Sequence, residues 1–527
     1  AMTSENESFI QETVELFKPL QIDYAEAMWE AATTGTKQAN RRQKDAQAAL
    51  MRFWSDPERF AIAKRLHESG PAADPITARQ IKHLYLAAAK AQQDEETIER
   101  ITELEAKLRD LFYNFRAEIG GEKVSDNQLD EVLHKSKDSD EVRRAWWASK
   151  EIGVQVASLV RELAAVRNTA AQAQGFRDHF QRMLTLSEIN QDDLFRLFEN
   201  LEQSTRKPFQ RLMAEINQAL VKRFGTDKPD LMPWHYGDRF FQNGPQIASI
   251  DTDVYFADHD PVDLAKVTYD GIGLEVRDIL ERSDLYPREG KDQHAFCVDI
   301  DREGDIRTLN NLQPNQRWNQ TLLHELGHAV YDKYIDRELP WLLRTPPHSL
   351  STEGIAMLMG ALVQDKRWLT EILRIPTADA DRIAEVARLQ ERSEELVFTR
   401  WCLVMTHFER GFYANPEADL DALWWGLVER FQQLKTPPGL QGGEWAAKYH
   451  LSLAPVYYHS YEMGYLYSAQ VRQRLVDEFG GLVNQPQTGK WLVDNVFSPG
   501  CKEDWASHVE SSTGEPLNPR YFVEAHG

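Results

Sequence analysis

Cysteine is scarce: Cys297, Cys402 and Cys501 are the only three in 527 residues. An odd number at wide spacing gives neither a disulfide framework nor a cysteine-type zinc site, and at least one thiol stays free. Long apolar runs are missing as well. No stretch approaches the roughly 18 consecutive apolar residues of a membrane-spanning helix, and the N-terminus lacks a basic-then-apolar leader. Positive charge is in deficit, with 61 Lys and Arg against 83 Asp and Glu and a net charge of −22. That balance argues against nucleic acid or anionic membranes as partners and favours cationic peptides at long range. Neither internal repeats, low-complexity tracts nor flexible linkers occur, and 42% hydrophobic residues suit a folded chain able to bury a large core. The missing leader makes the cytoplasm the expected compartment. Ala1 ahead of Met2 reads as a cloning remnant, so a periplasmic or secreted protein that has lost a signal peptide is the alternative.

What is present is helical periodicity. Apolar residues recur at three- and four-residue steps over 9–20, 24–32, 38–53, 77–119, 140–174 and 186–224. Strand-like alternation is rare. Within the charged stretch 90–118, Ile98, Ile101, Leu104, Leu108 and Leu111 form a stripe that predicts a helix packed over another layer rather than a free coiled coil. Glycine, proline and aspartate become denser between 225 and 314, where Phe296-Cys297-Val298-Asp299-Ile300 predicts a short strand. Helical patterning then resumes to about residue 478. The expectation is one mainly α unit over residues 1–527, in two helical lobes, with a small β-sheet near the site described next and a core at about 290–470.

His324-Glu325-Leu326-Gly327-His328 reads as the H-E-x-x-H core of a zinc peptidase. Histidines four apart on a helix are separated by about 400° and about 6 Å, so both imidazoles reach one ion. Glu325 then stands beside the open side of the metal as general base. Tyr331 and Tyr334 occupy the Gly and His places of a metzincin continuation, which excludes that class. Glu353, twenty-five residues after His328, is placed on a following helix to be the third ligand. Pro346 and Pro347 end the connection, Ser349 or Ser351 can cap the helix, and Gly354, Ala356, Gly360 and Ala361 allow close helix approach. Glu338 and His348, both in the connection, are the rival ligands. Asp332, one turn beyond His328, reads as a solvated helix-face residue, with the orienting of a metal ligand as the alternative.

These residues resemble the angiotensin-converting-enzyme family of zinc dipeptidyl carboxypeptidases and, more distantly, the thimet oligopeptidase and neurolysin family. The resemblance implies a two-lobed helical zinc peptidase of the gluzincin, neurolysin-like type enclosing a deep cleft. His294-Ala295, thirty residues before His324, falls at the offset of a His-Ala pair whose edge strand holds bound peptide. Lys448-Tyr449-His450 matches a triplet whose lysine takes the substrate's terminal carboxylate and whose histidine bonds its backbone. Tyr458 and Tyr461 reproduce tyrosines three apart, the later one stabilising the oxyanion. Arg167-Asn168 through Ala171 to Gly175-Phe176 matches a helix-ending pattern of the same peptidases.

Departures from the pattern are specific. His450 to Tyr461 spans eleven residues, intermediate between the two families, which keeps Tyr457 in play. Ser460 stands where the converting enzymes have a chloride-binding arginine. Met357 replaces an aspartate that orients a zinc histidine. For the glutamine partner of Lys448 the nearest candidate is Tyr236. The expectation is one zinc ion on His324, His328 and Glu353, with Glu325 as base, Tyr461 and His450 as catalytic partners, and His294, Ala295, Lys448, Tyr458 and Tyr457 contacting short peptide substrates. Dipeptide release from the C-terminus is the leading reading. Internal cleavage by an oligopeptidase and an inactive peptide-binding protein are the alternatives.

Overall fold

A computed structural model describes residues 4–70, 74–246 and 248–527; Ala1 and Met2, on which the cloning-remnant reading rests, lie outside the described residues. The chain forms two compact units. The first comprises residues 1–92, 250–385 and 464–518, and the second 93–249, 386–463 and 519–527.

In the first unit, the expected segments 9–20 and 24–32 are a single helix, Glu5–Thr34, that continues through Pro19. Proline removes one intrahelical donor, but the surrounding turns are held by a buried stripe that includes Phe9, Ile10 and Phe17. Lys37–Trp54 packs against it. The next two helices, Pro57–Glu68 and Pro75–Lys90, both begin with an Asp cap followed by proline, a pairing that satisfies the first turn and fixes its φ. Their apolar faces meet Phe17, Phe53, Leu66, Ile81 and Leu84 in one cluster with Trp341 and Leu342. Each such side chain contributes about 1.5–3 kcal/mol on burial.

The strand expected at 296–300 is Phe296–Asp299, paired antiparallel with Ile306–Leu309 in the register Phe296↔Leu309 to Asp299↔Ile306. Its connection is tied by carboxylates. Asp299 Oδ1 accepts from the Arg302 N–H at 2.9 Å, with Arg302 in the left-handed region (φ 58°), and Asp301 Oδ1 accepts from Glu303 N–H at 2.8 Å. Both strands pack on the helix Gln316–Lys333, which Asn315 caps through the Trp318 N–H at 2.9 Å. Ser349–Gly360 lies along that helix. Among the described residues, Phe296–Asp299 has a strand partner on one edge only.

In the second unit, the stretch expected to be helical from 77 to 119 is broken. Asp94 caps a new helix, Glu95–Asn114, and the chain then enters a small hairpin, Ala117–Ile119 with Glu122–Val124. The stripe is narrower than its spacing predicts: Leu104 and Leu108 are fully buried, whereas Ile98 and Leu111 remain 37% and 36% exposed. This helix packs on Ser139–Ala173, which ends at Gly175 (φ 89°) with the Phe176 N–H donating to Ala171 O at 3.1 Å. Arg167 of that helix donates to Glu105 at 3.0 Å and to Ser452 O at 2.7 Å. Gln191–Phe224 follows, capped by Asn190 and closed by Gly225. The first residues of the helix Tyr458–Phe479 belong to this unit and those from Gly464 onward to the first.

Candidate functional site

His324 and His328 point their Nε2 atoms at one carboxylate, Glu353, whose Oε1 is 3.0 Å from the former and whose Oε2 is 3.1 Å from the latter. The three donors lie within 4.8 Å of one another. Two imidazoles and a carboxylate are the donor set of a three-ligand catalytic zinc site with an open position, so these residues fit a zinc ion. Burial alone would raise the Glu353 carboxyl, but hydrogen bonds from both histidines outweigh it and hold it far below the usual range. For Glu325, burial is the larger influence and raises its pKa, against the lowering effect of His324 and His328. Glu338 sits exposed in the connection, and His348 is spent as a helix cap, its Nδ1 accepting from the Leu350 N–H at 3.1 Å.

Close helix approach makes this geometry. A Cβ added to Gly327 would meet Ala356 Cα at 2.9 Å, and one on Gly360 would meet His324 Cβ at 3.3 Å. With Met357 unable to orient a histidine, that role falls to a residue the sequence reading did not single out. His328 Nδ1 and Thr352 Oγ1 are 2.7 Å apart, a hydrogen bond in which a donating Nδ1–H leaves the Nε2 lone pair for a metal. The carbonyl of Leu323 is in turn bound by the buried Tyr269 hydroxyl at 2.6 Å. Asp332 departs from expectation. It is half-buried rather than freely solvated, and burial together with the nearby Asp299 pushes its carboxyl well above the usual range, against the pull of Arg302.

His294 and Ala295 immediately precede the strand instead of lying within it; His294 is exposed, and its N–H donates to Asp292 Oδ1 at 3.0 Å. On the helix from Tyr458, Gly464 lies against Glu353, an added Cβ there falling 3.9 Å from the Glu353 Cβ. The same helix carries Tyr461 three residues earlier.

The remaining candidates cluster in the second unit. Lys448 Nζ donates to Gln242 Oε1 at 2.8 Å and stands 5.4, 5.4 and 5.5 Å from the ring centroids of Phe240, Trp401 and Tyr458. The glutamine partner is therefore Gln242. Tyr236 is committed elsewhere, buried with its hydroxyl donating to Asn217 at 2.8 Å and its pKa pushed by burial up to about 12. Lys448, its pKa lowered by burial to about 8, and His450, lowered by burial and by Lys448 to about 4, line a cavity of about 710 Å³ together with Gln242, Phe240 and Tyr449. His450 Nδ1 is buried without a hydrogen-bond partner among the described residues. Its ring lies 5.0 Å from that of Tyr458, which is 5.7 Å from Tyr461. Tyr457 is exposed and edge-on to Tyr461 at 4.8 Å, whereas Tyr458 is buried. Gln242 carries no periodic or spacing signal; the only hint is the turn chemistry of Asp238 and Gly244 around it.

Comparison with known proteins divides the chain. The angiotensin-converting enzyme family model matches residues 1–235, and the peptidase family M3 model matches residues 279–527. Carboxypeptidase 1 of Bacillus subtilis (strain 168) is 22% identical over 262 residues, covering 44% of this chain and 51% of its own length. The chain thus spans about half the length of that curated relative.

Proposed function

Starting from a metallopeptidase with a His–His–Glu donor set, we propose that this chain releases dipeptides from the free C-terminus of short peptides. The observation that carries the reading is the half-buried Lys448 with its Gln242 partner on a cavity, a cation suited to recognising a terminal carboxylate. That the Bacillus subtilis relative is named a carboxypeptidase supports action at that end. A zinc ion on His324, His328 and Glu353 would supply Lewis acidity and make water nucleophilic at neutral pH. Glu325 accepts the proton of the attacking water and delivers it to the leaving amine nitrogen. Tyr461, by the register of the sequence resemblance, donates its phenolic hydrogen to the developing oxyanion, with His450 or Tyr458 beside it. The open edge of Phe296–Asp299 offers main-chain hydrogen bonds to an extended peptide. No helix among the described residues is long and apolar enough to cross a membrane, and three free thiols accord with a cytoplasmic setting.

Mass-spectrometric mapping of products from short peptides with free or amidated C-termini tests this reading. Successive loss of dipeptides from free termini alone is the expected result. Loss of single residues would keep the terminus and change the step, while internal cuts indifferent to amidation would make the chain an oligopeptidase. Replacing Glu325 by Gln should leave zinc bound and lower kcat by about 100-fold or more; full activity in that variant would remove Glu325 from its assigned role.

A further inference from the structure

The segment that supplies Gln242 is held from both sides. Asp238 Oδ1 accepts from the backbone N–H groups of Phe240 at 3.0 Å and of Gln242 itself at 2.8 Å, and Oδ2 accepts from those of Asn243 at 3.1 Å and Gly244 at 3.0 Å. One carboxylate thus binds four donors within seven residues of chain. From the opposite side the buried Gln432 Nε2 donates to the carbonyls of Phe240 at 3.0 Å and Phe241 at 3.1 Å. Lys150 Nζ donates to the carbonyl of Arg239 at 2.6 Å and lies 3.3 Å from the centroid of the Phe240 ring. Between these anchors Phe241 has φ 52°, a conformation that a bulky side chain adopts only when its surroundings dictate it. The segment then contacts Lys448 twice, through the Gln242 oxygen and the Phe240 ring.

We propose that Asp238 is a positioning residue for carboxylate recognition: by binding four backbone N–H groups it fixes the height of Gln242 against Lys448, and so sets how strictly the enzyme requires a free C-terminus. A neutral side chain cannot take its place. Asparagine would turn an amide N–H₂ toward two N–H donors that now share one oxygen, and glutamate is a methylene too long for the same ring of contacts. Asp238 touches no substrate in this scheme and acts through Gln242. This inference rests on the proposed C-terminal specificity, and the two are separable by experiment.

The readout is the ratio of kcat/KM for a peptide acid to that for its C-terminal amide, measured for the wild-type protein and for Asp238→Asn. General damage to the fold lowers both values and leaves the ratio, whereas displacement of Gln242 acts on the acid. The expected result is a wild-type ratio well above one that falls at least tenfold in Asp238→Asn. A wild-type ratio near one overturns the C-terminal reading and this inference with it. A high wild-type ratio retained in Asp238→Asn overturns the inference alone. Should Asp238→Asn not accumulate as folded protein, Gln432→Met removes the two opposing donors instead. A fall of the ratio in that variant supports the clamp, and an unmoved ratio refutes it.

Discussion

Under the proposed C-terminal specificity, Lys448 carries a condition on catalysis. Burial is the main cause of its lowered pKa; Asp238 opposes the shift and Arg239 adds to it, with the buried Lys150 as a further basic neighbour, while His450, its own pKa lowered to about 4, is neutral in this range. An ammonium with a pKa of about 8 is charged below that pH and neutral above it. For a free peptide acid, kcat/KM should therefore fall as pH rises through about 8, more than two units before an ordinary lysine would lose its charge. Profiles on matched acid and amide peptides check this, and an acid profile flat to pH 10 would contradict it. Residue types and spacing made His324, Glu325, His328 and Glu353 legible in the sequence, because helical geometry relates positions close in the chain. Thr352 and Gln242 were not legible. Thr352 looks like any helix-start hydroxyl until its 2.7 Å contact is seen, and Gln242 meets Lys448 across 206 residues of chain.

At the level of elements, the site depends on how closely two helices approach. Gly327 of Gln316–Lys333 faces Ala356 of Ser349–Gly360 so tightly that even a methyl group meets backbone at 2.9 Å. Gly327→Ala should separate the helices, costing about 1–3 kcal/mol of stability by overpacking. It should also weaken zinc binding on the order of tenfold by withdrawing Glu353 from the histidines, in the range seen when support for a metal ligand is lost. A melt and a competitive zinc titration measure the two effects, and unchanged zinc affinity would show that the helices adjust independently of the ligands. Periodicity identified these helices well, but their limits followed local chemistry. The helix Glu5–Thr34 runs on through Pro19, while the stretch from 77 to 119 breaks where Asp94 offers a cap, a choice made by side-chain acceptors rather than by apolar spacing.

For the whole molecule the net charge of −22 acts beyond contact distance. Peptides rich in Lys or Arg should be cleaved with higher kcat/KM than anionic peptides of equal length at low ionic strength. That advantage should shrink once salt near 0.1 M shortens the Debye length to about 10 Å. A preference indifferent to salt would place its origin in local contacts. Composition made the charge readable, and apolar periodicity the helical class. The order in which the chain visits its units was not readable, because it is decided by contacts between distant segments. The unit that holds His324, His328 and Glu353 is assembled from three stretches, the last being residues 464–518. A nascent chain emerging from the ribosome therefore cannot complete that unit until residues 464–518 have been made. The proposed peptidase site therefore stays unassembled until that last stretch has left the ribosome.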